Sequence, residues 1–360
     1  MKTHTLSVGL VGYGMAGRTF HAPLIQSAPG LELTAVVSRD AERVHADLPE
    51  VAVVDKAARL FARADIDLVV IATPNDTHFP LAKAALNAGK HVVVDKPFTI
   101  TLSEARLLKA QAEEAERMIS VFHNRRWDSD FLTLKGLVKD DTLGRVVALE
   151  SRFDRFRPNV PDRWREQHGP GAGIWYDLGP HLLDQARELF GMPRAILLDL
   201  ATVRDAAEVD DDFLALLEYD GLRVSLQAST LAAEPTPRFR VHGTRGSFVK
   251  YGLDPQEDRL KAGEAPSPQW GEDPVLASLT LAEGDDASPV ARELRCQPGD
   301  YLAYYSGIAD HLLHATPVPV DIDEAIEVMT LLETGLDSYR QGRWLKLKEG
   351  NGLRKRLHTH

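Results

Sequence analysis

The sequence predicts an α/β domain built on a doubly wound parallel sheet, followed by an α+β domain with a large, mostly antiparallel open sheet. Three observations carry this. Short β-branched runs alternate with helical patterns between residues 6 and 122, which implies parallel strands joined by helices. The segment Gly12-Tyr13-Gly14-Met15-Ala16-Gly17 follows the first run and opens a helix. After residue 123 the runs lengthen, alternate apolar and polar residues more clearly, and are joined by turns such as Tyr219-Asp220-Gly221, the pattern of antiparallel strands with one wet face. The expected domains are residues 1–122 and 123–360.

In the first domain, strands are expected at residues 6–11, 31–37, 68–72, 91–94 and 118–122, with a weaker one at 51–54. The helices between them include an Ala-rich one at 82–88 and one at 102–117, with Thr101 or Ser103 as its N-cap. In the second domain a helix is expected at 129–139 and strands at 146–153, 195–202, 213–219, 222–231 and 239–242. Residues 253–300 are rich in Gly, Pro, Asp and Glu and read as loops. A strongly amphipathic helix spans 323–341, with an Asp N-cap and Gly342 at its end. The basic tail Arg354-Lys355-Arg356 reads as a solvated end.

With 42 basic and 53 acidic residues the net charge is −11. Such a surface repels nucleic-acid phosphates and anionic membranes, so neither is an expected partner. No apolar run approaches the ~20 residues that span a bilayer. The residues ahead of the glycine loop are too short a stretch for a signal-peptide core. Cys296 is the single cysteine, so no intrachain disulfide forms, which fits a reducing compartment, the cytoplasm. Its polar surroundings offer no partner for nucleophilic chemistry.

In the glycine loop, Gly12 makes the tight turn, Gly14 lets backbone approach a pyrophosphate, and Gly17 lets helix and strand pack closely. Met15 and Ala16 complete the first turn, whose free amides face the phosphates. This is the fingerprint of a Rossmann dinucleotide-binding unit in its confirming strand–loop–helix context. The second strand ends at Ser38-Arg39, where an NAD site places an acidic residue on the ribose diol. A hydroxyl and a guanidinium suit a 2′-phosphate better, so NADP is the expected cofactor, with NAD as the alternative. Asp40 lies too far along for the ribose and reads as a helix cap. Thr73-Pro74-Asn75 follows the fourth strand and falls beside the cofactor. His78 reads either as a cofactor neighbour or as a helix-start histidine.

Ligands of a parallel sheet bind beyond the carboxyl ends of its strands. His91-Val92-Val93-Val94-Asp95-Lys96-Pro97 therefore delivers Asp95 to the cofactor and Lys96 to the place of chemistry. Oxidising a secondary alcohol requires a base for the hydroxyl proton, and histidine titrates in the right range. Asp177 and His181, at i and i+4, share one face of a helix. The carboxylate can orient the imidazole, and Lys96 can stabilise a developing alkoxide. The Gly169-Pro170-Gly171-Ala172-Gly173 run just upstream suits close backbone approach. Asn124 after the sixth strand is placed with the substrate, and Trp164 and Arg165 with the cofactor. For these three a domain-interface role is the competing reading, and for His21 a structural role is preferred. A metal held by Asp177, His181 and Asp184 lacks a convincing third ligand, so no metal is expected.

Taken together, Gly12–Gly17, Thr73-Pro74-Asn75, Asp95-Lys96-Pro97, Trp164-Arg165 and Asp177-xxx-His181 resemble the glucose–fructose oxidoreductase / inositol dehydrogenase / MocA (Gfo/Idh/MocA) family over nearly the whole chain. The resemblance implies a Rossmann domain, a mainly β substrate domain, and homodimers or homotetramers formed through the open sheet. It carries the catalytic lysine to Lys96 and the catalytic Asp and His to Asp177 and His181. Many members have Glu where this chain has Asp95, one methylene shorter, which weakens its contact with the nicotinamide ribose. Phe20-His21-Ala22-Pro23, Ser38-Arg39 and His123-Asn124-Arg125-Arg126-Trp127-Asp128 resemble the branch with NADP-dependent scyllo-inositol dehydrogenases. The expected substrate is a small polyol or sugar. The rival readings are reduction of another keto or anhydro sugar, and a cofactor-binding sensor without turnover.

Overall fold

The computed structural model describes residues 5–267, 269–282 and 288–347. The tail Arg354-Lys355-Arg356 lies outside them. The described residues divide into two compact units. The first gathers those of Met1–Asp128, Asp254–Glu272 and Pro298–Met329, the second those of Ser129–Leu253, Asp273–Gln297 and Thr330–His360.

The first unit holds a six-stranded sheet: β1 (Leu6–Val11), β2 (Leu31–Val37), β3 (Ala52–Val54), β4 (Leu68–Ile71), β5 (His91–Val94) and β6 (Ile119–Val121). All pairs are parallel, in the order β3-β2-β1-β4-β5-β6. The order reverses between β1 and β4, the switch point where a doubly wound sheet opens a crevice. Strand β4 is buried along its length, as its unbroken Leu-Val-Val-Ile run requires of an inner strand covered on both faces. The helix Leu102–Glu114 starts with a full capping box: Thr101 accepts from the Glu104 N–H, and Glu104 accepts from the Thr101 N–H.

Residues 253–300 correct the loop expectation. They form a helix at Gln256–Lys261 and strands at Ala277–Leu281 and Val290–Leu294. The glycines serve close approach instead of slack: the Gly299 N–H donates to the Gly271 carbonyl at 2.7 Å, and a Cβ on Gly271 would sit 1.7 Å from the Gly299 oxygen. The helix Leu302–His314 is a further element the sequence reading did not place; its Tyr304, Tyr305 and Ile308 are fully buried with Tyr301 against Leu10, Val36 and Phe122.

The second unit is built on a nine-stranded sheet: β7 (Val146–Arg152), β8 (Ala195–Ala201), β9 (Asp212–Glu218), β10 (Arg223–Ser229), β11 (Pro237–Gly243), β12 (Gly246–Tyr251), β13 (Ala277–Leu281), β14 (Val290–Leu294) and β15 (Leu345–Lys346). Its order is β14-β13-β12-β11-β7-β10-β9-β8-β15, and only β7 and β10 run parallel. Strands β9 and β10 alternate buried and half-exposed residues, so one face is covered and the other open. The helix Ile174–Phe190 packs on the covered face through Trp175. Its indole meets Phe213 edge-on at 4.9 Å, donates to the Leu332 carbonyl at 3.1 Å, and fits only because residues 179 and 335 lack a Cβ. Burying that ring contributes about 4–6 kcal/mol.

Candidate active site

The carboxyl ends of the parallel strands gather most of the expected residues of the first unit along one edge. Gly12 leaves β1 with φ +98°, and a Cβ there would stand 2.5 Å from the Ala72 carbonyl. A Cβ on Gly17 would stand 2.1 Å from the Gly12 oxygen. Around Gly14, by contrast, nothing lies within 4 Å of where a Cβ would be. Helical turns begin at Met15, so open ground lies in front of the first amides of a helix. The residues present therefore fit a dinucleotide pyrophosphate. Gly17→Ala should raise the dissociation constant of NADPH roughly 10-fold or more with an unchanged circular dichroism spectrum, read by cofactor fluorescence titration.

At the end of β2 the Ser38 hydroxyl accepts the Asp40 N–H at 3.1 Å. Arg39 is exposed and, among the described residues, has no carboxylate partner. Asp40 caps the helix Ala41–Asp47 by accepting the Arg43 N–H at 2.9 Å. After β4, Thr73 and Thr77 share a hydroxyl–hydroxyl bond of 2.6 Å, and Asn75 is buried. His78 is fully buried. Its Nδ1 lies 2.8 Å from the Pro97 oxygen and its Nε2 2.9 Å from the Thr73 oxygen. It thus ties the loop after β4 to the loop after β5. Asn124 is buried in the short turn after β6.

The β5 loop presents Lys96 half-buried, next to a cis Lys96–Pro97 peptide. Asp95 is turned into the protein, where its Oδ1 accepts the Lys96 N–H at 2.8 Å. Burial would raise its carboxyl, but the facing His21 imidazole, with Lys96 and His78 beyond it, holds it down at about 2. His21 Nε2 is 3.8 Å from Asp95 Oδ2, close enough for charge but not for a hydrogen bond. On its other side His21 Nδ1 meets the Tyr305 hydroxyl at 2.6 Å. Asp95 therefore works as the anchor of the Lys96 backbone.

In the second unit, helix Ile174–Phe190 opens at Gly173, whose φ of +87° no larger residue adopts easily. Asp210 caps this start: its carbonyl accepts the Ile174 N–H and its carboxylate the Trp175 N–H, both at 2.8 Å. Burial pushes the Asp210 carboxyl above its ordinary range. Asp177 lies in the first turn and His181 one turn further, with His181 buried and the Asp177 side chain 32% exposed. Arg165 Nε lies 3.7 Å from Asp177 Oδ1, and its guanidinium stacks 4.8 Å above the Trp164 ring.

Arg165, Gly173, Ile174, Asp177 and Asp210 border a cleft of about 500 Å³, its open mouth included, and His181 is not among its lining residues. Five arginines line it: Arg155, Arg157, Arg163, Arg165 and Arg204. Sequence reasoning singled out Arg165 alone. The spacing Phe153-Asp154-Arg155-Phe156-Arg157 was the available signal, because alternate residues of an extended segment point one way. Among the described residues no three His, Cys, Asp or Glu side chains converge in a metal-binding arrangement, and no helix is long and apolar enough to cross a membrane.

Comparison with known proteins matches two family models. The oxidoreductase family, NAD-binding Rossmann fold, covers residues 6–123, and the oxidoreductase family, C-terminal alpha/beta domain, covers residues 135–347. The chain is 57% identical over 334 residues to the uncharacterized oxidoreductase YdgJ of Escherichia coli, covering 92% of this chain and 96% of that one. It is 36% identical over 350 residues to the scyllo-inositol 2-dehydrogenase (NADP(+)) IolW of Bacillus subtilis, covering 96% and 97%. Among solved structures, YPO2259 of Yersinia pestis, assigned to the oxidoreductases, superposes with a TM-score of 0.92 at 53% identity, over 97% of this chain and 99% of that one.

Proposed function

Because this chain belongs to the Gfo/Idh/MocA oxidoreductase family, we propose that it reversibly oxidises a secondary hydroxyl of a cyclitol or sugar with NADP, in the manner of a scyllo-inositol dehydrogenase. The observation that carries this reading is Lys96, delivered by β5 to the carboxyl edge of the sheet and held there through the Asp95 carboxylate. A bound nicotinamide supplies the hydride acceptor. Lys96 places its ammonium on the substrate oxygen and favours the alkoxide character that develops as the hydride leaves. His181 takes the hydroxyl proton, and Asp177 on the same helix face stabilises the imidazolium. A neutral ketone results, and the reverse path returns the proton from His181.

The preference for NADP rests on the end of β2. Asp40 is engaged as a helix cap, while Ser38 and the exposed Arg39, which has no carboxylate partner among the described residues, stand at the end of β2. A 2′-phosphate there gains a charge-assisted bond that a diol does not. The half-exposed face of the nine-stranded sheet is the surface through which copies of the chain pair as homodimers or homotetramers.

The test is the initial rate of reduced nicotinamide formation with scyllo-inositol, run in parallel with NADP and NAD. A kcat/KM at least about 10-fold higher with NADP is expected, the size of one bond to a charged group. Equal rates would remove the argument from Ser38 and Arg39. No rate with either cofactor on folded protein would remove scyllo-inositol.

A further inference from the structure

We propose that the cleft at the start of helix Ile174–Phe190 is an anion subsite, in which Arg157 receives a carboxylate or phosphate carried by the polyol or sugar substrate. The inference rests on the function proposed above and names the substrate class of the same site.

Most cations of the cleft are already matched. Arg204 is satisfied twice: its Nε donates to Asp211 at 2.7 Å and its Nη2 to Glu166 at 2.6 Å. Glu166 also accepts from Arg163 Nη2 at 2.8 Å. Arg165 faces Asp177. Asp210 is engaged by backbone amides of the helix start. Arg155 stacks its guanidinium 4.7 Å over the Phe153 ring. Every carboxylate of the cleft has a partner, and of the five arginines Arg157 is left over: its guanidinium is exposed and has no partner among the described residues.

Its backbone is nonetheless fixed. The Arg157 N–H donates to the Thr230 carbonyl at 2.7 Å, and its own carbonyl accepts from Arg204 Nη1 at 3.4 Å. A pinned backbone carrying an unmatched guanidinium at a cleft wall is how proteins present a planar fork to an oxyanion. A second observation points the same way. Thr230 lines this cleft, and its hydroxyl, covered by the protein, has no hydrogen-bond partner among the described residues. A buried hydroxyl left without a partner is costly, and an oxyanion beside Arg157 would satisfy it.

The test uses the full-length enzyme with NADP and matched substrates: D-glucose, D-glucuronate, D-glucose 6-phosphate and scyllo-inositol. The expected result is a kcat/KM for an acidic sugar at least about 10-fold above that for its neutral counterpart. Arg157→Met should lower that value about 10- to 100-fold, the range of a hydrogen bond to a charged group. The value for the neutral sugar and the KM for NADP should stay unchanged. A neutral polyol turned over as well as any acid, and indifferent to Arg157→Met, overturns the inference and leaves polyol oxidation standing. A change confined to the KM for NADP overturns it too, since the anion would then be the cofactor's own phosphate. Thermal shifts separate the two readings if nothing turns over. Protection by D-glucuronate or inorganic phosphate that is lost in Arg157→Met supports the subsite and removes the redox reading, and absence of protection overturns the subsite.

Discussion

Lys96→Met is expected to lower kcat about 10²- to 10⁴-fold while leaving the NADPH dissociation constant unchanged. The range is that of a single proton-transfer or oxyanion-stabilising group. Methionine keeps the length and removes the charge. The loop should hold its shape, because what fixes it is backbone: the Lys96 N–H bound to Asp95 Oδ1, and the Pro97 carbonyl within bonding distance of His78. Asp95 stays ionised across the working range, its carboxyl held at about 2. The loss should therefore fall on the chemical step. Lys96→Arg should not restore it, since a rigid planar fork does not reproduce a compact ammonium. Turnover that survives in Lys96→Met with cofactor bound would remove Lys96 from the reaction.

Much of this edge was legible because it is written in local pattern. Strand β5 is a four-residue β-branched run, and the residues after it follow from parallel topology alone. The glycine loop carries its own geometry, and the structure gives each glycine the neighbour or the open space its task needs. What pins the loops was not legible. His21 meets Tyr305 across 284 residues of chain, and the partner sits on a helix the sequence reading did not place. No spacing rule reports a contact of that range. His78 was likewise ambiguous until its two carbonyl neighbours were visible, because a helix-start histidine looks the same in sequence whether it faces in or out.

The fold was misread where composition and burial disagree. Residues 253–300 look like loops because Gly, Pro, Asp and Glu dominate, yet Asp254, Gln256, Trp270, Asp273 and Cys296 are all buried. The buried polar groups there are engaged: Asp254 accepts the Gln256 N–H at 2.8 Å, the Gln256 side chain donates to the Trp127 carbonyl at 3.0 Å, and Asp273 pairs with Lys250 at 2.9 Å. Strand β12 was overlooked for the same reason. In Gly246–Tyr251 the inward positions are Phe248 and Lys250, so a charge occupies the place where alternation demands an apolar side chain.

That lysine sets the second large effect. Lys250→Met should lower the unfolding free energy by about 3–5 kcal/mol, the cost of leaving a buried charge without its partner. Lys250 is wholly buried; its Nζ lies 2.9 Å from Asp273 Oδ2 and also donates to the Tyr251 carbonyl. Beside the pair, burial raises the Asp130 carboxyl, and Arg238 and Lys250 act against that rise. Arg238 has little to spare for a second acid: it donates to Ser151 and Gln185, both at 2.6 Å, and reaches Asp130 only at 3.8 Å. Methionine fills the lysine's volume, so packing alone predicts a small effect and uncompensated charge a large one. Denaturant unfolding distinguishes them. Asp273→Asn on the Lys250→Met background should recover much of the loss, because it removes the stranded charge. Added salt should recover little, because counter-ions screen exposed charges and not this interior pair. A loss below about 1 kcal/mol, the cost of a volume-conserving swap, would mean that water reaches the cluster and carries the charge in place of Lys250.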